Sequence, residues 1–180
     1  DGHVFDDGTI TRIGETHFML TTTTVNAAAV LQHMEYWAQV EWNDLDVDFM
    51  SVTDEWAGIA VSGPRSRVLL GQVIEGLDLD NTSFPFMAFG HCRILGVPAR
   101  LFRISFSGEL AYELNVPADY GLTVWEALMD IGKKQDICSY GMEALSILRI
   151  EKGHVVGGEL NGRTTPIDLG FGQMMKKSGD

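Results

Sequence analysis

The chain has 180 residues, 45% of them hydrophobic, and 25 acidic side chains against 13 basic ones give it a formal net charge of −12. That profile is globular, and it withholds the clustered lysine and arginine that nucleic-acid phosphates or an anionic membrane surface would require. Apolar runs such as Ala57–Val61 and Val68–Gly71 fall far short of the roughly 18 residues of a membrane helix. A cytoplasmic protein with neither nucleic-acid nor membrane partners is therefore expected.

Position 1 is Asp rather than Met, and a strand signal begins within ten residues of it, so the chain reads as one domain over residues 1–180, excised from a longer polypeptide. Two short strands, Thr9–Ile13 and Phe18–Thr22, flank the polar turn at 14–17. From Thr24 as N-cap, Ala28, Leu31, Met34, Tyr36, Trp37 and Ala38 recur at near-helical spacing to about Val40. Strands are predicted over Val47–Val52 and Trp56–Val61, then a helix from Pro64 to about Glu75 after the Gly63-Pro64 break. Asn81–Gly90 reads as loop, His91–Leu95 and Ala99–Ser105 as a hairpin, and Ala111–Val116 as another strand. Asp119 is placed to cap a third helix that stops at Gly132. A fourth helix runs from Gly141 to Lys152 with the stripe Met142, Leu145, Leu148 and Ile150, closed by Gly153. The stretch Gly157–Gly172 reads as a functional loop anchored by Leu160, Ile167, Leu169 and Phe171. Hairpins outnumber crossovers, so the fold class is α+β with mixed or antiparallel sheets.

Common site patterns are missing. No Gly-x-Gly-x-x-Gly follows a strand, no phosphate-binding Gly-x-x-x-x-Gly-Lys-Ser/Thr occurs, and His3, His17, His33, His91 and His154 lack metal-ligand spacing. Cys92 and Cys138 read as small buried apolar residues. Three acidic segments remain. Asp6 and Asp7 lie side by side at the start of a strand, where one should face inward and the other outward. Glu113 lies between Tyr112 and Leu114 on a predicted strand, which is unfavourable for a carboxylate without a hydrogen-bond partner. Arg149 and Glu151 end the fourth helix, where local ion pairs in solvent are the ordinary reading.

Taken in order, Gly2-His3-Val4-Phe5-Asp6-Asp7, Ile59-Ala60-Val61-Ser62-Gly63-Pro64, the run from Phe102 to Pro117 and Leu148-Arg149-Ile150-Glu151-Lys152-Gly153-His154 resemble the glycine-cleavage T-protein (aminomethyltransferase) family. The Thr21–Thr24 run, Pro117–Gly121 and Glu151-Lys152-Gly153 look closer to the folate-binding region of the alpha subunit of heterotetrameric sarcosine oxidase. The resemblance implies the aminomethyltransferase folate-binding fold and an enzyme that forms 5,10-methylenetetrahydrofolate from an oxidised amine. It implies Asp7 as the residue facing the one-carbon chemistry, with Asp6 as its outward partner. It implies Glu113 as the anchor of the pterin ring, Phe106 as an aromatic where the family commonly has Tyr, and Thr23 near a family Asn. An arginine of the transferases is absent, since Glu143-Ala144-Leu145-Ser146 replaces their Gly-Ala-Arg-Asp. Tetrahydrofolate is the implied cofactor, with flavin and NAD held by other regions or subunits. The implied partners are the other oxidase subunits and a small imine or amine. Alternatives are a glycine-cleavage aminomethyltransferase, a related folate-dependent demethylase, or a non-catalytic assembly module of the same fold. Arg100, Arg103, Arg149 and Lys152 are the candidates for a folate glutamate tail.

Overall fold

The computed structural model describes residues 2–175, and these divide into two compact units, residues 2–51 with 155–175 and residues 52–154. The fold is α+β, and every strand pair is antiparallel.

In the first unit, β1 (Gly8–Arg12) and β2 (Phe18–Thr22) form a hairpin in register from Gly8 opposite Thr22 to Arg12 opposite Phe18. Only glycine fits at position 8, because a Cβ there would sit 1.8 Å from the Thr21 carbonyl oxygen. The chain then passes through a 3-10 turn, Thr24–Asn26, into α1 (Ala27–Val40). Thr24 does not cap this helix; the entry is held by Asp6, whose carboxylate accepts from the Thr23 backbone N–H and the Asn26 side chain, both at 2.9 Å. A carboxylate brought by the hairpin does what a local hydroxyl was expected to do. The strand predicted over Val47–Val52 is irregular. Val47 and Met50 stay exposed, and alternation makes no strand where no neighbouring strand accepts its hydrogen bonds.

The second unit is built on a five-stranded sheet of order β3-β7-β6-β5-β4. It comprises β3 (Trp56–Ser62), α2 (Ser66–Leu70), β4 (Ile74–Glu75), β5 (Phe89–Ile94), β6 (Val97–Phe102), β7 (Ala111–Pro117), α3 (Gly121–Ile131) and α4 (Met142–Lys152). The helix α2 is shorter than its pattern, because after Gly71 the backbone tightens to three-residue bonds (Gln72 to Leu69, Val73 to Leu70) and Ile74–Glu75 joins the sheet beside β5. Leu95 and Gly96, both at positive φ, turn the β5–β6 hairpin in two residues. β6 therefore starts at Val97, two residues before the expected position.

Asp119 lies inside a 3-10 turn, Ala118–Tyr120, and caps nothing. Gly132 ends α3 but opens a further 3-10 turn, and Ile137 fills the space where its Cβ would be. α4 ends as expected at Gly153, φ 85°, whereas Met142 and Ile150 of its stripe are exposed and only Leu145 and Leu148 are half-buried. Ile150 lies five residues from Leu145, about 140° around a helix, and so faces elsewhere. Cys92 is buried on β5, but Cys138, in the link before α4, is exposed, contrary to expectation.

One face of the sheet makes the core. Ile59 and Val61, Leu101, Leu114 and Val116, and Ile94 pack against Leu69, Leu70, Val124 and Leu128. Leu101, Leu114 and Val116 have no solvent exposure at all. Leu114→Ala at the centre of this face should cost about 2–5 kcal/mol, measured as a fall in the urea midpoint at unchanged slope; a loss under about 0.5 kcal/mol would show that β7 is not the core strand.

Candidate functional site

β7 alternates between the two faces of its sheet. Tyr112, Leu114 and Val116 point into the core, so Glu113 and Asn115 point to the opposite face. The register completes that face: Ala60 and Gly58 of β3 lie opposite Glu113 and Asn115 on one side, and Phe102 and Arg100 of β6 on the other. Glu113 Oε1 accepts a hydrogen bond from Asn115 Nδ2 at 3.0 Å. Asn115 is buried at 4% exposure while Glu113 is half-buried. Glu113 Oε2 has no protein partner among the described residues. Gly58 faces this pair, and a Cβ there would stand at ordinary contact distance, 4.0 Å from both Glu113 Oε1 and Asn115 Nδ2.

Beyond Asn115, the Arg100 guanidinium lies over the Trp56 ring at 3.9 Å from its centroid. Burial pulls the Arg100 pKa below its ordinary value, but a guanidinium there remains charged. The face thus combines a carboxylate with one oxygen available, a buried amide holding the other oxygen, a stacked cation and aromatic walls. Such a face suits a flat polar ring that offers N–H donors.

Phe106 lies in the loop between β6 and β7. Its ring stacks on His154, 5.7 Å between centroids at 21°, and its carbonyl oxygen lies 2.9 Å from His154 Nδ1. Gly108, at φ 85°, lets this loop pass the Lys152 side chain, which comes within 2.9 Å of a would-be Cβ. A cavity of about 550 Å3 runs along the free edge of β3, bounded by Trp125, Leu128, Gln135, Tyr140 and Leu145, and includes neither Glu113 nor Phe106. We place the candidate site on the polar sheet face rather than in that cavity, because the carboxylate is there.

The other two expected site residues belong to the first unit. Asp7 is exposed, and its carboxylate accepts from the Gly8 N–H at Oδ1, 2.9 Å. Asp6, expected to point outward, is instead the half-buried, hydrogen-bonded member of the pair. The reason is position: both acids precede β1, so strand alternation does not govern them, and Asp6 takes the donors offered by the entry to α1. Thr23 is tied by that same bond, and its side chain lies against Gly157, 3.0 Å from a Cβ placed there.

Arg149 donates to the His154 carbonyl oxygen at 3.1 Å, which makes it part of the α4 terminus, and Arg103 donates to the Phe84 carbonyl at 2.8 Å. Burial pushes the Cys92 thiol up to about 11, which leaves negligible thiolate at neutral pH. Asn115, two positions beyond Glu113 on a predicted strand, carried a readable signal as its same-face partner. Trp56 beneath Arg100 and His154 beneath Phe106 carried none, since both pairings depend on the tertiary fold.

A family model described as the GCVT N-terminal domain matches residues 1–179. The chain belongs to this family. The GCVT N-terminal domain is 50% identical over 177 residues to the sarcosine oxidase subunit alpha of Rhizobium meliloti (strain 1021), covering 97% of this chain and 18% of that relative. It is 46% identical over 182 residues to the sarcosine oxidase subunit alpha of Corynebacterium sp. (strain P-1), covering 100% and 19%. The aminomethyltransferase of Thermoanaerobacter sp. (strain X514) is 28% identical over 173 residues, covering 95% and 45%. This GCVT N-terminal domain therefore spans about a fifth of the alpha subunits it matches.

Burial alone would raise the Asp6 pKa, but the bonds from Asn26 and Thr23 outweigh it and hold the carboxyl below its ordinary value. A carboxyl lowered in the folded state stabilises above the ordinary carboxylate pKa and loses that effect as pH falls through the lowered value. The stability gap between the native domain and Asp6→Asn should accordingly be widest near neutrality and shrink below about pH 4, as read from urea melts across pH. A gap independent of pH would show that the Asp6 charge contributes nothing.

Proposed function

We propose that this chain is part of the tetrahydrofolate-binding region of a sarcosine oxidase alpha subunit, and that the region takes up the one-carbon unit released by amine oxidation as 5,10-methylenetetrahydrofolate. One observation carries the reading: Glu113, paired with Asn115, presents an available carboxylate oxygen on a polar sheet face in a chain half identical to an alpha subunit of that oxidase. The stronger identity to the oxidase subunits than to the transferase and the replacement of the transferase arginine by the 143–146 stretch favour the oxidase over the aminomethyltransferase. Partners are then the remaining oxidase subunits and a small imine, with flavin and NAD bound elsewhere in that assembly.

The residues fit a folate. A carboxylate accepts parallel hydrogen bonds from adjacent ring and exocyclic N–H groups, and Asn115 fixes the Glu113 rotamer. Bound tetrahydrofolate supplies two amine nitrogens that take a one-carbon unit at the formaldehyde level. Asp7, exposed and accepting from the Gly8 N–H, carries a carboxylate able to stabilise positive charge and to accept a proton. Phe106 contributes an aromatic wall, and Thr23 a polar group held in place by Asp6.

In the intact oxidase, Glu113→Gln should weaken tetrahydrofolate binding by about tenfold or more, the cost of a lost charge-assisted hydrogen bond, in isothermal titration. Asp7→Asn should leave affinity within about threefold and shift the product from methylene-folate toward free formaldehyde, assayed per amine oxidised. Unchanged affinity in the first variant together with an unchanged product ratio in the second would end the proposal.

A further inference from the structure

The five-stranded sheet has two outer strands, and they are protected unequally. β4 offers a newcomer only Ile74 and Glu75, whereas β3 presents the seven residues Trp56–Ser62, with no charge, proline or bulge among them. Charge, proline, bulges and shortness are the usual means by which an outer strand is kept from pairing again. The direction of the unused groups follows from the ladder. Gly63 N–H donates to the Leu110 carbonyl at 2.8 Å and Ala118 N–H to the Glu55 carbonyl at 3.0 Å, so in this antiparallel pair the odd-numbered residues of β3 bond to β7. The N–H and C=O of Gly58 and Ala60 therefore point away from the sheet. Both residues are exposed, and among the described residues no other segment bonds to their backbone.

Beside that edge lies the cavity of about 550 Å3, within the size range of ligand sites. Its walls include Ile59 and Val61, on the core face of β3, with Trp125, Leu128, Met129 and Leu145. Of its lining residues only Arg65 and Asp136 are charged, and they pair with each other at 3.1 Å. The lining is thus matched to an uncharged occupant. A strand added antiparallel to β3 with one residue opposite Ala60 exchanges two backbone hydrogen bonds with it, and the side chains before and after that residue fall on the face of Ile59 and Val61. That face opens on the cavity. We infer that the β3 edge is a docking site for an uncharged, extended peptide segment of a partner protein, with the pattern apolar–small–apolar, which adds to the sheet and seats its two apolar side chains in the cavity. The small middle residue lies beside Ala60 and leaves the Glu113 face open. Neither the edge nor the cavity depends on a folate at that face.

The probe is acetyl-Leu-Ala-Leu-amide, titrated into the intact oxidase with residue-resolved hydrogen–deuterium exchange as the readout. It should bind saturably and slow exchange at Ala60, whose N–H it covers. Methylating the alanine nitrogen of the probe keeps the apolar content but removes the N–H that the Ala60 carbonyl would accept, and should weaken binding about tenfold or more. Acetyl-Ala-Leu-Ala-amide, whose single leucine falls on the wrong face, should bind weaker by a similar factor. Leu145→Trp, which fills the cavity from α4, should also weaken the probe while tetrahydrofolate affinity stays native. If the methylated probe binds as well as its parent, the cavity takes up apolar groups without strand addition and the inference fails. Native probe affinity in Leu145→Trp, or no binding of the probe at all, would overturn it as well. So would slow exchange at Ala60 before any probe is added, because the oxidase would then be covering this edge itself.

Discussion

A strand buried on both faces can carry a carboxylate only where the pleat turns it away from the core and a neighbour satisfies it, and β7 meets both conditions. Leu114 and Val116 are sealed into the core while Glu113 and Asn115, between and beyond them, face the other way. A one-residue slip of β7 would exchange these sets, placing a carboxylate among Ile59, Leu101 and Val124 and leaving leucine and valine on the polar face. The hydrophobic pattern that stabilises the sheet thus also fixes the direction of Glu113. The bond from Asn115 offsets part of the cost of withdrawing that carboxylate from water.

The neighbouring strands finish the same face. β3 contributes Gly58 and Ala60, small residues opposite Asn115 and Glu113, and β6 contributes Arg100, whose guanidinium lies over Trp56. The loop between β6 and β7 is held from a different direction, by the α4 terminus through His154 and Lys152. Sheet and helix end therefore fix separate parts of the second unit.

In the first unit two adjacent acids divide their work. Asp6 closes the turn into α1 and is consumed by that role, whereas Asp7 stays exposed at the surface. The Asp6 carboxylate also holds the Thr23 backbone at the entry to the 3-10 turn.

The sequence by itself determined those features whose cause is local. Alternation in Ala111–Val116 placed Glu113 on a strand and opposite to Leu114; helical spacing located α1 and α4; Gly153 stopped α4 because only a residue at ease with positive φ ends a helix that way. Its motif order was sufficient for the family. The tertiary structure alone decided the rest: whether Val47–Val52 found a partner strand, which of Asp6 and Asp7 turned inward, why α2 gave way to a sheet edge at Ile74, and that Cys138 stayed exposed. It also joined His154 to Phe106 across 48 residues of chain. Each of these depends on donors, acceptors or surfaces supplied from distant segments, and nothing in the local spacing of residues specifies which distant segment will supply them.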